Sequence, residues 1–295
     1  MYNNRMYVLY LSTSFSYTMA MEKQYLKLLQ DIVDHGDERR SRNSVVKSVF
    51  ARHMSWDLAD GFPLLTTKKM FFRGIVEELA WFLRGSTDAR ELQAKNVHIW
   101  DGNSATTNGD CGPIYSFQWR YFGADYVDCT TDYTGQGIDQ VQQVVELLKQ
   151  SPTSRRMVIS GWNPTDQSRM CLPPCHVFYQ FYVEPDNRVS CMMTQRSADV
   201  FLGLPFNIAS TSLLLTLICQ QVGRQPGKVH INIGDAHVYQ QHLAAVQQQL
   251  TRLPTQLPRL ALINDNIDLW NLQTSDIYLQ HRSKQQSRIK AAMVA

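Results

Sequence analysis

Cysteine is the strongest ordinary nucleophile among protein side chains, and its thiolate is the reactive form. Cys175 stands in Leu172-Pro173-Pro174-Cys175-His176, where two prolines pin the backbone just before a segment of strand character. A nucleophile at a rigid strand edge is well placed for attack; the plainer alternative is a buried structural cysteine. Cys171, Cys175 and His176 lack a second ligand pair at zinc-like spacing, so no metal site is expected. Arginine is plentiful where strands begin and end. Arg155 and Arg156 precede one, Arg196-Ser197 follows another, and Arg39, Arg40 and Arg42 crowd an early loop. A guanidinium fork matches phosphate oxygens bidentately, and serine adds a donor, although any single arginine can equally be a solvated surface charge.

Asp199 and Asn207 share one loop between a strand and a buried helix. An amide holds both a donor and an acceptor and can read a uracil edge, but Asn207 also suits the N-cap of the following helix. Asp199 is a possible ligand group or a turn former. His237 and Tyr239 are two residues apart, so on an extended segment they point the same way. Both suit sugar hydroxyls; the alternative is an ordinary buried polar pair. Glu77 and Glu78 lie on one helix. Glu78 falls at the edge of its apolar face, where partial burial raises a carboxyl pKa and makes acid–base work possible. Glu77 falls on the far side and reads as a solvated charge.

The elements that must position these groups follow from periodicity. Residues 21–34 form an amphipathic helix with Tyr25, Leu28, Leu29 and Ile32 on one face, and residues 37–44 read as a basic, polar loop. Residues 72–83 form a second helix, stopped by Gly85. Residues 138–149 form a third. Residues 157–162, 177–184 and 188–195 read as strands, the last two joined as a hairpin through Pro185-Asp186-Asn187. Residues 208–222 are almost continuously apolar and too long for a usual strand, so they read as a buried helix. Residues 240–250 read as a surface helix, followed by irregular structure and short strands. The order lacks a clean βαβ rhythm, which favours α+β over a doubly wound sheet.

The bulk properties narrow the class. A 295-residue chain with 44% hydrophobic and 19% charged residues can bury a full core as one large domain. A formal charge of +3 is too small to mark a nucleic-acid binder. Six cysteines without a CxxC pair point to a reducing, cytoplasmic compartment, not a disulfide scaffold. No apolar run approaches the roughly 18 residues of a membrane span. At the N-terminus, the apolar stretch 6–11 is shorter than a signal h-region and is followed by serine and threonine. Residues 1–20 are therefore expected to be a ragged extension, with translation starting at Met19 or Met21 as an alternative, and residues 21–295 a single catalytic domain.

Taken in order, eight segments resemble the thymidylate synthase family. They are Asp60 to Lys68, Glu78 to Gly85, Ile99-Trp100, Gly112 to Tyr115, Ser154 to Arg156, Pro174-Cys175-His176, Gln195 to Asn207 and Gly234 to Tyr239. Each is weak alone; the ordered set is specific, and the stretch from Gln195 to Asn207 is nearly diagnostic. The resemblance covers the chain from about Met21 onward. It implies a large mixed β-sheet with helices packed on it, dimerising through the sheet. The implied reaction is reductive methylation of dUMP to dTMP by 5,10-methylenetetrahydrofolate, which serves as both carbon and hydride donor, with no metal. Cys175 would attack C6 of the pyrimidine, with Arg196 holding its thiolate. Glu78 and Tyr115 would manage protons, and Asn207 would pair with the uracil O4 and N3–H edge. His237 and Tyr239 would hold the deoxyribose 3′-hydroxyl. Arg196, Ser197 and an early-loop arginine would bind phosphate, joined by Arg155 and Arg156 from the other subunit of a homodimer. Asp199, Trp100, Lys68 and Gly203 would serve the folate.

Several positions depart from the family pattern. The early loop usually reads Asp-Arg-Thr-Gly-Thr-Gly; here it is Arg39-Arg40-Ser41-Arg42-Asn43-Ser44. Spacing does not separate Arg40 from Arg42 as the phosphate arginine, and Arg42 is chosen. Ser116, Ala292 and Lys69 stand where glycine, proline and arginine are common. Two rival functions have to be weighed. A hydroxymethylase would quench the intermediate with water; Asn207 argues against its cytosine-specific form, which wants an acidic group there. A catalytically inactive nucleotide- or RNA-binding homologue would lack catalytic groups or show basic-aromatic patterning, and neither is found.

Overall fold

The structure is a computed structural model that describes residues 20–41, 44–264, 266–281 and 286–292. The expected N-terminal extension therefore lies outside the described residues, except Ala20, which opens α1 (Ala20–His35). Tyr25, Leu28, Leu29 and Ile32 make the buried face of α1, as their spacing predicts.

The first half of the loop expected at 37–44 is instead part of the sheet: β1 (Asp37–Arg40) pairs antiparallel with β2 (Val45–Asp57). All four β1 residues are exposed. Charges on both faces argue locally for a solvated loop, but a short charged strand is also what a sheet edge tolerates. Reading β2 as a strand requires looking past residues 49–51, where Val49 is buried, Phe50 is exposed and Ala51 adopts φ 57°.

Helix α2 (Phe72–Leu83) forms as expected, and Gly85 at φ 75° ends the turn after it. Three short helices follow: α3 (Ala89–Ala94), α4 (Asp101–Ser104) and α5 (Tyr115–Tyr121). α6 (Gln140–Gln150) is capped by the Asp139 carboxylate, which accepts from the Gln142 N–H. The hairpin expected around residue 186 is present. β4 (His176–Val183) and β5 (Val189–Asp199) are antiparallel, and β3 (Val158–Ser160) flanks β4. The apolar run becomes α7 (Leu204–Gln221), four residues earlier than its apolar start suggested because Pro205 sits in the first turn. β6 (Pro226–Tyr239), α8 (Leu243–Leu250), β7 (Arg259–Leu262) and β8 (Ile277–Gln280) complete the described elements.

The six-stranded sheet runs β1-β2-β6-β5-β4-β3. Among the described strands only β5 and β6 are parallel, so the sheet is mixed and the fold α+β. α1 packs on β2 and β6, and α7 on β5 and β6, covering one face. Among the described residues, no helix covers the opposite face in this way. Phe178, Thr194, Asn232 and His53 form one cross-strand row, and Gln180, Met192, His230 and Ser55 the next. Each of these eight side chains is half-buried or exposed. Among the described residues, no helix is long and apolar enough to cross a membrane.

Candidate active site

The parallel pair β5–β6 builds the floor of a cavity of about 650 Å³. Ser197 and Asp199 at the end of β5 stand in register with Asp235 and His237 near the end of β6. A two-residue period then brings these four, with Gln195 and Tyr239, to one lining. Parallel strands ending together leave a crevice beyond their carboxyl ends, a natural place for a ligand.

Cys175 precedes β4 on the cavity wall. The Arg196 N–H donates to the Cys175 carbonyl (2.8 Å), while the Arg196 guanidinium donates to the carbonyls of Pro174 (2.8 Å) and Pro173 (2.9 Å). These bonds hold Nη2 3.9 Å from Cys175 Sγ, so a permanent cation sits beside the sulfur. The Cys175 N–H donates to Tyr115 Oη at 2.7 Å. Burial and the nearby sulfur hold the Tyr115 phenol far above its ordinary pKa, so it stays protonated and keeps its own hydrogen to donate.

Gly112 locks Tyr115 to the Cys175 segment. At φ 72° it passes so close to Arg169 that a Cβ would stand 2.0 Å from the Arg169 carbonyl oxygen, and the Cys171 N–H donates to the Cys111 carbonyl (2.9 Å) beside it. Aromatic rings close the wall: Tyr115 lies over His176 with centroids 4.1 Å apart, and Phe82 and Trp100 flank Tyr115. Burial holds the His176 pKa down to about 3, so its imidazole is neutral.

Glu78 reaches the cavity from α2. Burial pushes its carboxyl up to about 7, against the opposing effect of a 2.8 Å hydrogen bond from Trp100 Nε1. Glu77 corrects the expectation of a solvated charge: it is buried, bonded to Lys95 Nζ (2.8 Å) and Thr274 Oγ1 (2.5 Å). Burial raises its pKa, but those two hydrogen bonds outweigh that and hold it below the usual range. The far side of α2 is covered by the segment around Leu269–Asn271, which helical periodicity alone does not reveal.

Asn207 is not the N-cap of α7. Gly203 takes that place, and Asn207 sits in the first turn with its N–H donating to the Gly203 carbonyl (3.2 Å). The side chain is thus freed for the cavity. Gln195 Nε2 donates to Asn207 Oδ1 (3.1 Å) and to the Ser197 carbonyl (3.0 Å), fixing the amide's orientation. Asp199 is a turn former and a cavity residue at once: Oδ1 accepts from the N–H groups of Phe201 (3.0 Å) and Leu202 (3.1 Å).

Of the residues chosen from sequence, Cys175, Glu78, Tyr115, Asn207, Arg196, Ser197, His237, Tyr239, Asp199, Trp100 and Gly203 line this one cavity. Lys68 does not. It is buried behind the wall, with Nζ donating to the Phe201 carbonyl and 4.2 Å from the Phe201 ring centre, and burial takes its pKa down to about 8. Arg155 and Arg156 are exposed on the segment leading into β3 and line no part of it. Arg42 lies outside the described residues, though neighbouring Ser41 is on the cavity rim. Gln195, His176, Asp235 and Asn103 are lining residues that carried no role in the sequence reading. Alternation along β5 and β6 could have found Gln195 and Asp235. Asn103 had no such signal, since α4 is a single turn. Among the described residues no group of three or more His, Cys, Asp and Glu is placed to hold a metal ion.

The fold and the cavity define a class: an α+β protein that brings a cysteine sulfur, an adjacent cation and a fixed amide to one cavity. The chain belongs to the thymidylate synthase family, whose model matches residues 23–295. It is 46% identical to thymidylate synthase of Varicella-zoster virus over 275 residues, covering 89% of this chain and 91% of the relative. It is likewise 46% identical to thymidylate synthase of Candida albicans over 271 residues, covering 82% and 86%. Bifunctional dihydrofolate reductase-thymidylate synthase of Zea mays is 47% identical over 276 residues, covering 89% of this chain but 53% of the relative. The chain thus spans about half the length of the bifunctional relatives it matches.

Proposed function

We propose that this chain is a thymidylate synthase that converts dUMP and 5,10-methylenetetrahydrofolate to dTMP and dihydrofolate. The observation that carries the reading is the convergence of Cys175, Arg196, Asn207, Asp199 and His237 on one cavity in a member of this family. Cys175 Sγ adds to C6 of the pyrimidine, which makes C5 a nucleophile toward the folate methylene. Loss of the C5 proton expels the folate by breaking the bond between its N5 and the transferred carbon, which leaves an exocyclic methylene. Hydride from the tetrahydrofolate then reduces that methylene as the C6–S bond breaks, giving dTMP and dihydrofolate.

Arg196, 3.9 Å from the sulfur, gives the thiolate a charged partner. With Oδ1 receiving Gln195, Asn207 keeps Nδ2 to donate to O4 and a second Oδ1 lone pair for N3–H. Glu78, at about 7, can hold or release a proton near neutral pH, and the Tyr115 hydroxyl joins the C5 proton path. His237 and Tyr239 take the 3′-hydroxyl. Arg196, Ser197 and Arg42 meet the phosphate.

On the folate side, Trp100 offers an apolar wall, Gly203 close backbone approach and Asp199 its second carboxylate oxygen. Lys68 acts from behind Phe201 through its attraction to Asp199. The reading involves no metal. It also includes a homodimer formed through the open sheet face, with Arg155 and Arg156 crossing to the partner's phosphate site; their exposure away from their own cavity supports it. Six free cysteines suit a reducing, cytoplasmic setting.

The test is purified full-length protein with dUMP and methylenetetrahydrofolate. Dihydrofolate is followed by absorbance, the nucleotide is identified by mass, and dCMP is run in parallel. Dihydrofolate with dTMP is the expected result. A hydroxymethyl nucleotide without dihydrofolate would replace the reading with a hydroxymethylase, and no product from folded protein would reject it.

A further inference from the structure

Asp235 lies two residues before His237 on β6, and both line the cavity. Its Oδ1 is 3.0 Å from His237 Nδ1 and accepts a second bond, also 3.0 Å, from Ser48 Oγ on β2. Its Oδ2 is 3.6 Å from the Arg39 guanidinium on β1. Three neighbouring strands thus converge on one carboxylate at the cavity edge. The His237 hydrogen bond above all holds Asp235 below the ordinary carboxylate range, against partial burial. An ionised carboxylate has no proton to give, so Nδ1 of His237 must be the donor. In a neutral imidazole Nε2 is then an acceptor, and among the described residues no hydrogen bond to Nε2 occurs.

We infer that Asp235 is a positioning residue that fixes the Nδ1-protonated tautomer of His237. Nε2 then accepts the hydrogen bond that a nucleotide 3′-hydroxyl donates, and the site selects nucleotides bearing that hydroxyl. This rests on the reading above that His237 meets the sugar. Ser48 and Arg39 keep the carboxylate from swinging to donors elsewhere. The carboxylate acts through the imidazole and touches no reacting atom.

The experiment pairs two readouts on the full chain, wild type and Asp235→Asn. Nitrogen NMR of the His237 imidazole reads the tautomer. Calorimetry compares dUMP with 2′,3′-dideoxyuridine 5′-monophosphate. Wild type is expected to show the Nδ1-protonated signature and to bind dUMP about fivefold more tightly, the worth of one net hydrogen bond. In Asp235→Asn the amide can donate to Nδ1, so the tautomer reverses and the two affinities converge. An Nε2-protonated signature in wild type overturns the proposal without any variant. So does an Asp235→Asn protein that keeps both the wild-type signature and the affinity ratio. Failure of folded wild type to bind dUMP at all rejects the nucleotide reading itself, a result separate from either.

Discussion

Glu78 shows how one side chain can be tuned by its neighbours. Burial raises its pKa to about 7, well above an unfolded carboxyl, so between those values the folded state binds more protons. Folding stability therefore falls as pH rises through that window and stays lowered above it. Glu78→Gln removes the titration. Its thermal denaturation should show a gain on the order of 2 kcal/mol over wild type at pH 8 and none at pH 4, smaller than the full shift because the carboxyl faces an open cavity. Turnover should fall about a hundredfold or more, with the inflection near neutral pH lost from the kcat/KM profile. Asn207→Asp should raise the kcat/KM for dCMP relative to dUMP by about a hundredfold or more, because each base then meets a complementary or mismatched edge at a buried polar site. Steady-state kinetics with both nucleotides check it, and an unchanged ratio would mean that position 207 does not read the ring.

At the scale of elements, the site depends on two segments gripping each other. Gly112, at φ 72°, brings the start of α5 against the Arg169 carbonyl, and Cys175 leans on Tyr115 by one hydrogen bond. Gly112→Ala adds both a left-handed strain and a backbone clash. It should cost about 2–4 kcal/mol in denaturant unfolding and lower kcat more than the stability loss alone would explain, since Tyr115 and Cys175 move apart. Glu77 likewise depends on distant segments. Periodicity placed it correctly on the far side of α2, but Lys95 and Thr274 come from α3's end and a distant segment to cover that side. β1 is a similar case: a run of charges gains partners for its backbone only once β2 lies beside it.

For the whole molecule, the open sheet face and the outlying Arg155 and Arg156 give a test of shared sites. Cys175→Ala and Arg156→Ala chains should each be nearly inactive. Refolded together in equal amounts, they should recover about one quarter of wild-type activity. In the proposed homodimer, half of the dimers are then mixed, and each mixed dimer holds one site with both groups intact. Recovery no greater than the sum of the separate variants would place both groups in one subunit's site.

Sequence alone determined the helices with a clear apolar face, the β4–β5 hairpin, the α+β class and eleven of the residues that line the cavity. These depend on local spacing: a 3.6-residue or two-residue period, a turn at Asn187, a set of short motifs in order. Tertiary structure alone decided that β1 is a strand and that Glu77 is buried. It also decided that Gly203 and not Asn207 caps α7, and that Asp235 and Gln195 orient the groups beside them. Each of those depends on which distant segment arrives to supply a hydrogen-bond partner or to exclude water. That information lies in contacts between residues far apart in the chain, which no local window contains.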